Sequence, residues 1–473
     1  MMSEQATEKV ERTHPVDEVL PLSKLTVYGL QHVLAFYAGA VLNPILIATG
    51  IGLPQEQLAY LISANLFMCG IATLMQTNGF WKVGIRMPIV QGITTTAVGP
   101  SIAVGLAAGG GVKGLPTLFG AVIVAGLLTF LLAPYISRLI RFFPPVVTGS
   151  IITIIGIYLV PIAALKAGGG DPSSPDFASF QNLALAFGTL GLITAIYWFF
   201  RGFVSTIAIL IGLVVGTIAA AVFGVADFSQ VGKASWVGVT TPLHFGWPTF
   251  EVTAILTLIL VMLITAVECV GQYFAIAKIV GKDIEQADIA RGIRADGLAT
   301  AIGGFMNAFP TTVYSQNVGL LRLSNIKSRW VVTAAGIIMI VLGALPKVGA
   351  IVGAIPSAVL GGAALVLFST IAVVGIQILT QADLSNNRNL IIVAISLAMG
   401  IIPSSFPEFY KNVPFEGLQM VIGNGIIMGS LTAIVLNILF NHVRGEVPPV
   451  RTELEEAALE TSEALTGDSP RSR

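Results

Sequence analysis

The feature that most constrains this chain is a series of apolar runs, each about 20 residues long, separated by short clusters that hold nearly all of its charge. At 1.5 Å per residue such a run spans the hydrocarbon of a bilayer, where only segments that satisfy their own backbone polar groups survive. Fourteen segments can be marked: 24–49, 57–77, 87–108, 115–137, 145–165, 180–200, 203–224, 251–279, 290–308, 311–325, 330–346, 353–380, 389–403 and 418–441. Composition agrees, since 55% of the 473 residues are apolar and 11% are charged, against about 25% charged in a soluble domain. An all-α integral membrane protein is the expected fold class. The 25 basic residues balance the 25 acidic ones, which argues against a nucleic-acid partner. Cys69 and Cys269 both lie inside apolar runs, which leaves no disulfide framework and no CxxC metal site. No metal and no other cofactor is expected.

Loop charge tests the number of crossings, because the cytoplasmic loops of a membrane protein collect Lys and Arg. With the N-terminus inside, the inner loops hold thirteen basic residues, among them Arg138, Arg141, Arg291, Arg294 and Arg329. The outer loops hold five: Lys113, Lys166, Lys233, Lys347 and Lys411. Both termini are therefore expected in the cytoplasm, and the protein in the plasma (inner) membrane. Residues 1–23 lack an apolar stretch behind a basic start, so they read as a cytoplasmic tail rather than a signal peptide. Residues 443–473 are rich in Glu and read as a disordered tail.

The second half echoes the first. Gly70, Ala72 and Thr73 match Gly297, Ala299 and Thr300 at a separation of 227, and Gln91 matches Gln316 at 225. Pro134, Pro144, Val147 and Gly149 match Pro346, Pro356, Val359 and Gly361 at 212. Two seven-span halves in series must face opposite ways, which is the inverted-repeat plan of secondary transporters and predicts alternating access. The third and tenth segments share a grammar: Pro88 or Pro310 in an extended stretch, then Thr94-Thr95-Thr96 or Ser315-Gln316-Asn317 at a helix start. Both are expected to be broken by short extended backbone, which is tolerated at depth only where protein or a water-filled cavity satisfies it. These breaks mark the expected site.

Ionisable groups inside spans are costly and point to function. Glu268 lies deep in the eighth segment, with Gln272 one turn later on the same face. His32 is in the first, Asn65 in the second, and Asp296 near the start of the ninth. Each has a plainer role available. Glu268 could tie two helices, although an amide or apolar group would do that at less cost; Gln316 and Asn317 could cap a half-helix, Asp296 could pair with Arg291 or Arg294, and His32 could be a hydrogen-bonded core histidine. His14, His244 and His442 flank spans and read as solvated. Gly423, Gly425 and Gly429 follow no strand, so close helix packing explains them better than a nucleotide loop.

Several stretches carry a family likeness: GLQHVLAFYAGAV in the first segment, FMCGIATLMQ in the second, the glutamate segment, ADGLAT in the ninth, and above all QNVGLLRLSNIKSR from Gln316 to Arg329. Over about residues 24–440 the chain resembles the nucleobase–ascorbate transporters, the type 2 nucleobase:cation symporters. The resemblance implies fourteen spans in two parts. A core would take in 24–140 (spans 1–4) and 251–350 (spans 8–11), and a gate 141–250 (spans 5–7) and 351–442 (spans 12–14), with homodimers joined through gate helices. It also implies that Glu268 and Gln316 hydrogen-bond the base, that Asn317 supports them and that Tyr314 borders the site. Asp296 would matter for transport and His32 would order the site from behind. Uracil-type members resemble a pattern with Glu at the Gln316 position and His at the Gln272 position, and both differ here. Gln272 and Thr94 look more like the urate-accepting branch than like xanthine-type members, and Asn65 stands where relatives often carry Asp.

The expected function is import of an oxidised purine, urate or xanthine, by symport with a proton or else sodium. The alternatives are uracil or another nucleobase, and an inorganic-anion exchanger of the same architecture, against which a buried Glu268 counts. An integral-membrane enzyme would need a convergent catalytic set that the single intramembrane histidine does not supply.

Overall fold

The structure is a computed structural model that describes residues 14–139 and 142–443. Residues 1–13 and the expected tail beyond Val443 lie outside the described residues. The apolar runs become helices because a helix closes every backbone hydrogen bond within its own segment. The first half holds α1 (Leu22–Gly50), α2 (Gln55–Asn78), strand β1 (Gln91–Ile93), α3 (Val98–Ala107), α4 (Gly111–Leu139), α5 (Pro145–Ala167), α6 (Phe180–Phe199), α7 (Phe203–Thr206), α8 (Ala208–Val222) and α9 (Ser229–Lys233). The second half holds α10 (Val252–Val280), α11 (Gln286–Phe305), strand β2 (Thr311–Val313), α12 (Ser315–Ser324), α13 (Arg329–Gly343), α14 (Pro346–Gly353), α15 (Ser357–Leu379), α16 (Asn387–Ser405), α17 (Glu416–Ile422) and α18 (Gly425–Asn437).

Nine helices among the described residues are long and apolar enough to cross a membrane, so this is a multi-pass membrane protein. The other marked segments are shorter, interrupted or, in α11, more polar. α13 and α14 meet at a bend of 80°. Strands interrupt the third and tenth segments, and two further breaks fall where the sequence reading marked continuous spans. α7 ends at Thr206 before α8 begins at Ala208. α17 stops before Gly423, and Asn424 starts α18 afresh by accepting a hydrogen bond from the Ile427 amide.

Helix crossings are set by small residues, since two backbones approach closely only where no side chain stands between them. α2 packs along α13, α4 along α11 and α5 along α15. A Cβ on Gly70 of α2 would stand 2.6 Å from the Gly336 carbonyl oxygen of α13, and one on Gly297 of α11 would stand 2.8 Å from the Gly126 oxygen of α4. Where α5 crosses α15, a Cβ on Gly361 would lie 2.0 Å from the Ala167 nitrogen, and one on Gly149 2.8 Å from that of Leu379. The glycines of the 423–429 motif do pack closely, a Cβ on Gly425 falling 2.0 Å from the Gly400 oxygen. Outward faces carry exposed apolar side chains, among them Leu131, Phe187, Trp198, Phe199 and Ile218, as lipid contact requires.

The expected N-terminal tail is not free from His14 onward. Val16 is buried in the same apolar cluster as Ile85, Met87 and Ile289. Asp17 pairs with Arg329 at 2.6 Å, Ser328 Oγ donates to the Glu18 carbonyl at 2.5 Å and Trp330 Nε1 to that of Asp17 at 3.2 Å. The tail reading missed this because a single buried valine in a polar stretch has no periodicity to announce it.

Replacing Gly361 with Val is expected to overpack the α5–α15 crossing and destabilise the fold by about 1–3 kcal/mol or more. Gly191→Ala, where a Cβ meets nothing within 4 Å, is expected to be neutral. Monodisperse yield and unfolding temperature in detergent, measured side by side, check both.

Candidate functional site

The two chain breaks solve each other's problem. Extended backbone inside a helical bundle exposes amides and carbonyls that nothing local can satisfy. Here β1 and β2 pair antiparallel, Gln91 opposite Val313, Gly92 opposite Thr312 and Ile93 opposite Thr311, with every strand residue buried. The ladder extends through Tyr314 N to the Val90 oxygen at 3.0 Å and Thr94 N to that of Pro310 at 2.9 Å. Side chains finish the accounting. Asn43 Nδ2 donates to the Ile93 carbonyl at 2.8 Å, and Asn65 Oδ1 accepts from the Phe309 amide at 3.0 Å. Gly92 has to be glycine, because a Cβ there would lie 2.3 Å from the Tyr314 ring and 2.5 Å from Phe36.

The strand register corrects one equivalence. Gln91 lies within β1, whereas Gln316 lies beyond β2 on the first turn of α12, so the two do not hold corresponding places.

A cavity opens beside the strands. Glu268 and Gln272 of α10 line one wall, and Thr312, Tyr314, Ser315 and Gln316 another. Thr95 stands at the α3 end, with Ile152 of α5 and Thr370, Ile371 and Val374 of α15 opposite. No Lys, Arg or His is among these lining residues. Glu268 Oε2 accepts from Thr96 Oγ1 at 3.3 Å, and Gln316 Oε1 accepts from Ser315 Oγ at 3.4 Å. Tyr314 precedes α12 without capping it through its side chain, so the first-turn amides keep the partial positive charge of a helix N-terminus. The site therefore offers one carboxyl, one amide with both donor and acceptor character, and hydroxyls, all against apolar walls.

Behind this wall stands a second, buried set. Asn317 Nδ2 lies 3.1 Å from His32 Nδ1 and donates to the His32 carbonyl at 2.9 Å. Asp296 Oδ1 accepts from Gln76 Nε2 and Gln91 Nε2, each at 2.8 Å, and its Oδ2 accepts from Tyr273 OH at 2.6 Å. Asp296 thus anchors β1 through Gln91 and has no ion-pair partner among the described residues, neither Arg294 nor Arg291, which pairs with Asp288. Cys269 Sγ is 3.1 Å from Thr312 Oγ1.

Of the residues singled out in the sequence, Glu268, Gln272, Tyr314 and Gln316 meet in one cavity. Asn317, His32 and Asp296 support it from behind. Thr94 is fully buried against Thr265 at 3.3 Å, and the neighbouring Thr95 is the one on the lining. Asn65 holds the backbone before β2. Sequence reasoning missed Asn43, Gln76, Gln91 as a partner of Asp296, and Tyr273. An amide or phenol inside an apolar run was the available signal, but such neutral groups are common in membrane helices and nothing in the sequence links these four to Asp296 or to the strands.

Comparison with known proteins follows the same outline. A model described as a permease family matches residues 23–409. The chain is 46% identical over 420 residues to the nucleobase transporter PlUacP of Paenibacillus larvae, covering 88% of this chain and 95% of that one. It is 43% identical to the uric acid permease PucK of Bacillus subtilis, covering 91% and 98%. In structure it resembles the transmembrane domain of the cyanobacterial bicarbonate transporter BicA, with a TM-score of 0.54 at 16% identity, over 87% of this chain and 97% of that one. The last likeness concerns the fold alone.

Asp296→Ala is expected to orphan two buried donors, Gln91 Nε2 and Tyr273 OH, at about 1–3 kcal/mol each, Gln76 keeping the Gly292 carbonyl, and to lower the yield of folded protein. Asp296→Asn keeps an acceptor for both glutamines and is expected to recover most of the unfolding temperature. Thermal unfolding of the three purified proteins checks this.

Proposed function

The chain belongs to the permease family of the nucleobase–ascorbate transporters, and on that premise we propose that it imports an oxidised purine, urate or xanthine, across the plasma membrane by proton symport. It is a transporter of nucleobase type, not an enzyme. The observation that carries the finer reading is the cavity in which Glu268 faces Gln316 and the uncapped start of α12.

The side-chain amide of Gln316 suits the adjacent C=O and N–H groups on an oxidised purine edge, and Tyr314 would border the ring. Gln272 and Thr95 lie within reach of the same space. The helix amides would draw a carbonyl or an anion. An ionised Glu268 opposes them, because two negative charges in one small apolar-walled space repel and a carboxylate withheld from water is costly. A proton on Glu268 removes both costs and turns the acid into a hydrogen-bond donor. Substrate would then bind the protonated form more tightly, and that difference in affinity couples the two fluxes. Asn317 on His32, and Asp296 on Gln91, would hold the geometry.

In this reading fourteen spans form a 7+7 inverted repeat, both termini are cytoplasmic, and a core (24–140 and 251–350) moves against a gate (141–250 and 351–442) in a homodimer. Recurrent packing supports the repeat. The α2–α13 and α4–α11 crossings each rest on facing glycines, and the pairs Gly149–Leu379 and Gly361–Ala167 are related by the 212-residue shift read from the sequence.

Labelled urate and xanthine uptake into proteoliposomes, with and without an imposed inward proton gradient, tests the proposal. Wild type should accumulate substrate only with the gradient, and Glu268→Gln should lose that accumulation. Uphill uptake unchanged in Glu268→Gln would overturn the role of Glu268. Uptake of uracil alone, or of bicarbonate unaffected by purines, would replace the substrate.

A further inference from the structure

Lys166, in the last turn of α5, is the one lysine among the described residues that is almost fully buried, with 6% of its surface exposed. It has no hydrogen-bond or ion-pair partner among the described residues. Its stem is enclosed while the ammonium keeps a little exposed surface, and the groups around it add to the positive potential. Its ammonium lies beside the N-terminus of the 23-residue helix α15, whose N-cap Pro356 provides no side-chain cap. The amides of Ser357, Ala358 and Val359 have no backbone acceptor, the first helical bond being Leu360 N to the Pro356 oxygen. The position that a Cβ on Gly170 would occupy is 3.5 Å from Lys166 Nζ and 3.3 Å from Ser357 Oγ, so ammonium and hydroxyl face one small space that glycine leaves open. The nearest acid in sequence, Asp171, is exposed and engaged locally, its Oδ1 accepting from Ser173 Oγ at 2.7 Å and from the Ser173 amide at 2.9 Å.

We propose that Lys166, Ser357 and the first turn of α15 form an oxyanion site, separate from the purine cavity, that takes a phosphate group, either free or at the head of a lipid. The anion would neutralise the lysine and tie the end of α5 to the start of α15 where the two helices cross most closely.

The test is thermal unfolding of the full-length chain, delipidated in neutral detergent, titrated with inorganic phosphate and separately with phosphatidylglycerol at constant ionic strength. Wild type should show a saturable rise of roughly 1–2 °C at tenfold the dissociation constant. Lys166→Met should lose the rise without losing folded protein, Lys166→Arg should keep it, and Ser357→Ala should weaken it. A response to phosphate assigns a free anion, and a response to the lipid alone assigns a headgroup. No saturable rise in wild type, or an equal rise in Lys166→Met, overturns the site. Equal destabilisation by Lys166→Met and Asp171→Asn without any phosphate response also overturns it and pairs the two side chains instead. None of these outcomes depends on transport.

Discussion

The interaction on which the rest of this structure depends is the pairing of two three-residue strands inside a helical bundle. Each is too short to be stable alone, and each exposes backbone that lipid would not tolerate. Paired, with Asn43, Asn65 and the Asp296–Gln91 link closing the ends, they become the fixed floor from which α3 and α12 start. The placement of Glu268, Thr95 and Gln316 around one cavity follows from that floor. A helix running straight through would have buried its amides in its own hydrogen bonds and left the site no polarity except side chains.

Much of this was legible in the sequence, for reasons particular to each residue. Glu268 stood out because a carboxyl deep in an apolar run has no cheap structural explanation. Pro310 and the polar cluster from Ser315 to Asn317 announced a break and a restart. The phase of that restart was not legible. Thr94, Thr95 and Thr96 are chemically alike, and only the turn that leads into α3 decides that Thr95 meets the cavity, Thr96 meets Glu268 and Thr94 is sealed against Thr265. Neutral polar residues were harder still. Gln76 and Tyr273 look unremarkable in an apolar run, and their meaning appears only when Asp296 is seen to need three donors. The second pair of breaks, before Ala208 and at Gly423–Asn424, went unread because no proline marks either.

The electrostatic design is economical. Two carboxyls serve the central region, and the structure treats them differently. Asp296 is saturated by neutral donors and holds a strand in place. Glu268 has, among the described residues, one hydrogen bond at 3.3 Å and lines the cavity. The same functional group is thus a fastener in one place and an available partner in the other, and the difference lies wholly in how many donors surround it.

The strands that pair at the centre are far apart in the chain, Gly92 meeting Thr312 across 220 residues. At a synthesis rate of 5–20 residues per second, about 10–40 s separate the appearance of the two partners. During that interval the first half lies in the membrane with an open strand edge and an Asp296 partner, Gln91, that has nothing to hold. The site is consequently a late product of biogenesis. Its first strand is among the most vulnerable backbone in the nascent chain, and whatever shields it until the second half arrives decides how much of the protein ever folds.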